Sequence, residues 1–271
     1  MIARAARRIS AAGVVFVLAA CAGAQRPIAT IPADGYLSAG ALAGLAAAIP
    51  PPPAAGSPQD QADKAASARY VALEDGDRWL LATSHAEVRP PLGLQHFDCA
   101  LGVRLGSAQA AGRTPALDRM MGRLFHDAAS VAEQVKARQA RPRPVADDPA
   151  RRACQTLDAA ARGSGSYPSG TAAVATAYGE AFAALEPDRA EAVRRIGRQI
   201  GVSRLVCAMH YPSDVAAGEA IGRQVAAQAV AGPAFQADMA EARVELAAAR
   251  ATGLTNPGCA AERAALAAVL P

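Results

Sequence analysis

The stretch PALDRMMGRLFHDAASVAEQVKARQ, residues 115–139, sets Leu117, Met120, Met121, Leu124, Phe125, Ala128 and Val131 three and four positions apart. That spacing gathers the apolar side chains on one face of a helix. The helix delivers Lys136 at its C-terminal end. A loop with Pro142, Pro144 and Pro149 follows, and residues 150–162 have room for a short helix. Gly163-Ser164-Gly165-Ser166-Tyr167-Pro168-Ser169-Gly170 reads as a loop running straight into an alanine-rich helix from Thr171 to Leu185. Pro187 suits the first position of a helix carrying Val193, Ile196 and Ile200 on one face. Pro212 similarly opens a helix to about Val230, and Phe235 to Arg250 forms a last amphipathic segment. No segment alternates convincingly as a strand. The expected fold class is all-α, a single-domain helical bundle.

The chain has 271 residues, 52% of them hydrophobic and only 4% aromatic, enough for one sizeable core. The formal charge of +4 owes three units to Arg4, Arg7 and Arg8, so without the first twenty residues it is +1. This balance says little about nucleic acid, and no nucleic-acid partner is expected.

The N-terminus reads as an export signal: a basic stretch through Arg8, then an apolar run from Ala11 to Ala20 that is too short to span a bilayer. Leu18-Ala19-Ala20-Cys21 resembles a bacterial lipobox, with Cys21 as the lipidated residue; cleavage after Ala24 is the alternative. The expected organisation is an export signal over 1–20, a Pro/Ala-rich tether over 21–57, a helical domain over 58–252 and a tail over 253–271. The destination is the periplasm, either free or anchored to the outer membrane by lipid, with secretion as a further alternative. No membrane contact is expected beyond such an anchor.

Three separated pieces carry chemistry: Lys136 with Arg143-Pro144; Ser169-Gly170-Thr171 after Pro168; and Ser203-Arg204, His210 and Asp214. Phosphoryl transfer spreads negative charge over the equatorial oxygens, so catalysis is mostly positioning and electrostatics. Lys136, Arg143 and Arg204 supply cations, the two guanidinium groups adding forked donors. Ser169 and Gly170 stand where a helix begins, and the free N–H groups there form an anion site. His210 suits a nucleophile, and Asp214, four residues on, is placed to accept the other imidazole N–H. Each residue alone has a structural reading as helix cap, helix-dipole partner or solvated charge; their joint occurrence favours a phosphate pocket. His85, His96 and His126 lack such a setting and are read as structural.

Taken in order, these pieces resemble the three-part signature of the bacterial class A non-specific acid phosphatases, soluble members of the type-2 phosphatidic acid phosphatase superfamily, which also includes vanadium haloperoxidases. The resemblance runs from about Pro50 to Arg250. It implies the helical fold of that superfamily, hydrolysis of small phosphate monoesters, and a phosphohistidine on His210 with Asp214 as its partner. Phosphate would be held by Lys136, Arg143, Ser169, Gly170 and Arg204. No metal or cofactor is expected, because lysine and arginine supply the cations.

Position 171 departs from that signature, with threonine where the family carries a histidine that protonates the leaving group and helps activate water. Thr171 cannot titrate near neutral pH, so good leaving groups should be favoured. The alternative is an exported oxyanion-binding lipoprotein that keeps the pocket without turnover; a haloperoxidase is disfavoured by the short chain and the same missing histidine.

Beyond Cys21 there remain Cys99, Cys154, Cys207 and Cys259, an even number that suits an oxidising compartment. Three pairings are open. Cys154 with Cys207 and Cys99 with Cys259 is preferred, because the first bridge would brace the pocket walls. Zinc-ligand spacing is absent.

Overall fold

A computed structural model describes residues 34–105 and 114–271. The proposed export signal and Cys21 lie outside the described residues. Among the described residues there are twelve α-helices, short 3₁₀ turns and no strand. The first four helices are α1 (Ala39–Ala48), α2 (Pro58–Arg69), α3 (Asp77–Ser84) and α4 (Asp98–Leu101). Next come α5 (Pro115–Lys136), α6 (Pro144–Asp147), α7 (Ala159–Gly163) and α8 (Gly170–Leu185). The last four are α9 (Ala190–Val206), α10 (Pro212–Val230), α11 (Pro233–Ala251) and α12 (Cys259–Leu266). None of them is long and apolar enough to cross a membrane.

The apolar face read in residues 115–139 is the buried face of α5: Leu117, Met120, Met121, Leu124, Ala128 and Val131 have no solvent exposure. Helix α8 lies at the centre, packed on α5, α9 and α10. Its small side chains let neighbours approach closely. Where α10 crosses α8, a Cβ at Gly218 would stand 2.3 Å from the Ser169 carbonyl, and one at Gly222 2.3 Å from that of Ala173. Only glycine permits this backbone contact.

Three expectations need correction. The stretch 34–57 is not simply an extended tether: Ser38 caps α1, and Leu42, Leu45 and Ala46 enter the main core against α5. Pro50 to Pro53 after it are irregular, as their composition suggested. Residues 253–271 are not a plain tail, since α12 is tied to α4 through the Cys99–Cys259 disulfide. Residues 150–158 contain no helix, α7 covering only the end of the expected segment. Both preferred disulfides are present, Cys154–Cys207 with a Cα separation of 4.7 Å and Cys99–Cys259 with 5.5 Å.

Candidate active site

The three motif segments converge at one end of α8. Ser169 is its N-cap, and its Oγ accepts from Ala172 N at 3.2 Å. The next N–H groups, of Gly170 and Thr171, belong to the first turn, where a helix leaves donors free for an anion. Lys136 ends α5 close by, its Nζ 3.6 Å from where a Gly170 Cβ would lie. Lys136 also contacts Glu133 Oε1 at 2.8 Å.

Arg143, the N-cap of α6, and Arg204, in the last turn of α9, are both buried. Arg143 donates from Nε to Ser164 Oγ at 3.0 Å and from Nη1 to the Met209 carbonyl at 2.8 Å. Arg204 donates from Nη2 to Gln155 Oε1 at 3.1 Å, and Nη1 lies 3.7 Å from Cys207 Sγ. The Cys154–Cys207 bridge thus joins the segment carrying Gln155 to the end of the helix carrying Arg204. Burial, and then the like charge of Arg143, lowers Arg204 to about 9. Two guanidinium groups held this way would gain from an anion between them.

His210 follows a tight reversal after α9. Ala208 adopts a left-handed conformation with φ of 55°, unfavourable for an L-residue, and the N–H groups of Met209 and His210 both point to the Arg204 carbonyl. His210 Nδ1 lies 2.7 Å from the Ser166 carbonyl, which fixes the proton on Nδ1 and leaves Nε2 an acceptor. Nε2 is 3.2 Å from Arg143 Nη1. Burial lowers the imidazole to about 3, with Arg143 and Arg204 adding to that effect and Asp214 opposing it. The ring is therefore neutral above about pH 3.

Asp214 stands differently from the sequence expectation. Its Oδ2 is 3.8 Å from His210 Nδ1, an ion-pair distance, while the Ser166 carbonyl takes the imidazole N–H. The carboxylate instead accepts from Ser166 Oγ at 2.6 Å, Tyr211 N at 2.8 Å and Arg141 Nη1 at 2.7 Å. Burial works to raise its pKa, but His210 beside it and these donors hold it below the ordinary carboxylate value. Asp214 also receives the Ser169 N–H on its main-chain carbonyl at 2.9 Å, coupling the anion loop to α10.

Sequence reasoning missed Ser166, Gln155 and above all Arg141. Arg141, two residues before Arg143, does not line the cleft but points into Asp60, Asp63 and Asp214 at 3.0, 2.8 and 2.7 Å. The signal was the polar sequence of α2, whose buried face consists of Asp60, Asp63 and Ser67. His85 and His96 are buried and pack edge to face at 4.9 Å, with His85 Nδ1 against Ser203 Oγ at 2.8 Å. Their structural reading fits that placement.

Lys136, Arg143, Gly170, Thr171, Arg204 and His210 line one cleft of about 480 Å³, while Ser169 caps the helix from behind. Phe125, Leu157 and Val174 form part of its apolar wall. Three cations around a helix N-terminus, facing a neutral histidine, make a pocket in an all-helical protein whose chemistry suits a tetrahedral oxyanion. The family model of the PAP2 superfamily matches residues 127–235, which span Lys136 to Asp214. An acid phosphatase of Zymomonas mobilis subsp. mobilis is 32% identical over 208 residues, covering 76% of this chain and 77% of the relative. Non-specific acid phosphatases of Salmonella typhimurium and Providencia stuartii are 29% and 27% identical. Those matches cover 73% and 74% of this chain, and 78% and 80% of the relatives. The chain belongs to the PAP2 superfamily.

Proposed function

We propose that the chain is an exported acid phosphatase that hydrolyses small phosphate monoesters through a phosphohistidine on His210. Its class, a phosphoric monoester hydrolase, follows from the acid phosphatase relatives; the intermediate and the export are our reading. The observation that carries the intermediate is the Nδ1 contact to the Ser166 carbonyl, which leaves the Nε2 lone pair directed at Arg143 in the cleft. Lys136, Arg143, Arg204 and the N–H groups at the start of α8 receive the phosphoryl oxygens. Arg143 then exchanges Nε2 for phosphate, and Nε2 attacks phosphorus in line with the departing oxygen. Nδ1–H stays on Ser166, and the resulting positive imidazolium is stabilised by Asp214 nearby. Water cleaves the P–N bond to return neutral His210 and phosphate.

Export is supported by the two disulfides and by the N-terminal sequence. The test of function is hydrolysis of p-nitrophenyl phosphate, nucleotides and sugar phosphates by the wild type, His210→Ala and Thr171→His. Abolition by His210→Ala together with acid-quench trapping of phosphohistidine in the wild type is expected; turnover that persists in His210→Ala would sink the reading. A second reading, oxyanion binding without turnover, draws on Thr171 at the cleft wall. Phosphate or vanadate binding by calorimetry without His210-dependent hydrolysis would select it.

A further inference from the structure

Transfer to His210 and hydrolysis of the intermediate both need a proton moved at the leaving side of phosphorus. Thr171 cannot move it, and His210 is occupied as the nucleophile. The cationic groups of the cleft, Arg89, Lys136, Arg143 and Arg204, are committed to charge. Two carboxyl groups remain on the cleft wall, Glu87 and Glu133. Glu87 is turned to its own loop, with Oε1 accepting from Arg89 N at 2.7 Å and Oε2 3.6 Å from Arg89 Nη1.

Glu133 is placed differently. It stands one turn before Lys136 on α5, its Oε1 is 2.8 Å from Lys136 Nζ, and that Nζ lies against Gly170 at the start of α8. Its charge is also felt at the Arg143 guanidinium. One ammonium group therefore separates the carboxylate from the anion site, close enough to reach the leaving oxygen directly or through one water. The side chain is 69% exposed, so it exchanges protons with solvent between turnovers.

Resting on the phosphohistidine reading, we propose that Glu133 is the proton-transfer residue of this enzyme, doing from α5 the work that a histidine at position 171 would do from α8. Substrate binding draws Lys136 from Glu133 to the phosphoryl group and leaves the carboxyl group free to carry a proton. In the first step the P–O ester bond breaks as the P–Nε2 bond forms, and the Glu133 proton goes to the departing alkoxide, which leaves as an alcohol. In the second step the Glu133 carboxylate takes a proton from water, the water oxygen bonds phosphorus, and the P–N bond breaks with its electron pair returning to Nε2. Inorganic phosphate leaves, and Glu133 is protonated for the next cycle.

The experiment compares glycerol phosphate, whose alkoxide needs the proton, with p-nitrophenyl phosphate, whose phenolate does not. Wild type, Glu133→Gln, Thr171→His, the double variant and His210→Ala are assayed across pH. Glu133→Gln is expected to lower kcat for glycerol phosphate by about 10² while affecting p-nitrophenyl phosphate several-fold less. It should also flatten one limb of the kcat–pH profile, and adding Thr171→His should restore much of the alkyl-ester rate. Equal losses on both esters, a change confined to KM, or no loss at all overturns the proposal. If His210→Ala abolishes hydrolysis while Glu133→Gln is inert, only the assignment of Glu133 falls; turnover in His210→Ala removes the mechanism beneath it.

Discussion

Arg143 Nη1 lies 3.2 Å from His210 Nε2, so the cation and the nitrogen that the proposed mechanism sets on either side of the phosphoryl group contact each other directly. Arg143 is braced on the far side by Ser164 and the Met209 carbonyl, and that bracing depends on the fork of its guanidinium. Arg143→Lys should therefore lower kcat by about 10² to 10³, in line with losing one preorganised donor to the transition state. Steady-state kinetics with p-nitrophenyl phosphate, beside vanadate inhibition, measures it; near-wild-type kcat in this variant would contradict the role.

The depressed His210 gives a pH prediction of definite sign. Burial lowers its pKa from 6.5 to about 3, so the unprotonated ring persists as pH falls, and protonation of the nucleophile should not limit kcat/KM until about pH 3. An acid limb governed by His210 near 6.5 would refute this. The same shift acts on stability, because the unfolded chain takes up protons below pH 6.5 that the folded ring refuses. His85 and His96 are lowered in the same direction by burial. Thermal stability should accordingly be fully supported above pH 6.5 and decline as pH falls below it; His85→Gln should flatten that decline if it folds.

Asp214 and His210 are 3.8 Å apart while Ser166 holds the imidazole proton. Asp214→Asn keeps that tautomer, so its kcat should fall by clearly less than the roughly 10⁴ seen when a triad aspartate alone sets the tautomer. A loss equal to that of His210→Ala would show instead that Asp214 controls the ring directly.

That the motif residues gather in one cleft was legible in the sequence, and the misses have three separate causes. The residues proposed to meet phosphate sit at or near helix ends, where Pro212 and the Gly163–Gly170 loop announce the boundaries, and the three motifs fix the register. Helix α2 and Arg141 were hidden because the contact between them is ionic: Asp60 and Asp63 on α2 and Asp214 on α10 share one arginine, and no apolar period marks such a face. Helix α1 was obscured by alanine and glycine beside a proline run, although Leu42 and Leu45 are buried. The Ser166 carbonyl is main chain, so no residue type could point to it.

That hidden arginine yields its own test. Arg141→Met leaves three buried carboxylates without their shared cation and should destabilise the fold by about 3–5 kcal/mol. Chemical denaturation measures the change; a loss under about 1 kcal/mol would mean water reaches the cluster freely.

Reduction of Cys154–Cys207 should cost both stability and rate. Closing a loop over a sequence separation of 53 residues is worth about 4 kcal/mol in chain entropy. Cys154→Ser with Cys207→Ser should also lower kcat, because Gln155 would no longer be tied to Arg204. Unchanged kinetics in a destabilised double variant would separate the two effects and reject the second.

The glycine contact between α8 and α10 bears on what kind of catalyst can evolve on this chain. With Gly218 pressed on the Ser169 carbonyl and the Ser169 N–H bonded to Asp214, the anion loop and the histidine turn are parts of one solid block. Sequence change there is expensive, whereas Phe125 and Leu157 on the cleft wall are only partly buried and leave more room for substitution. New substrate preferences should therefore arise by changes at the rim, with the contact between Ser169 and Gly218 kept.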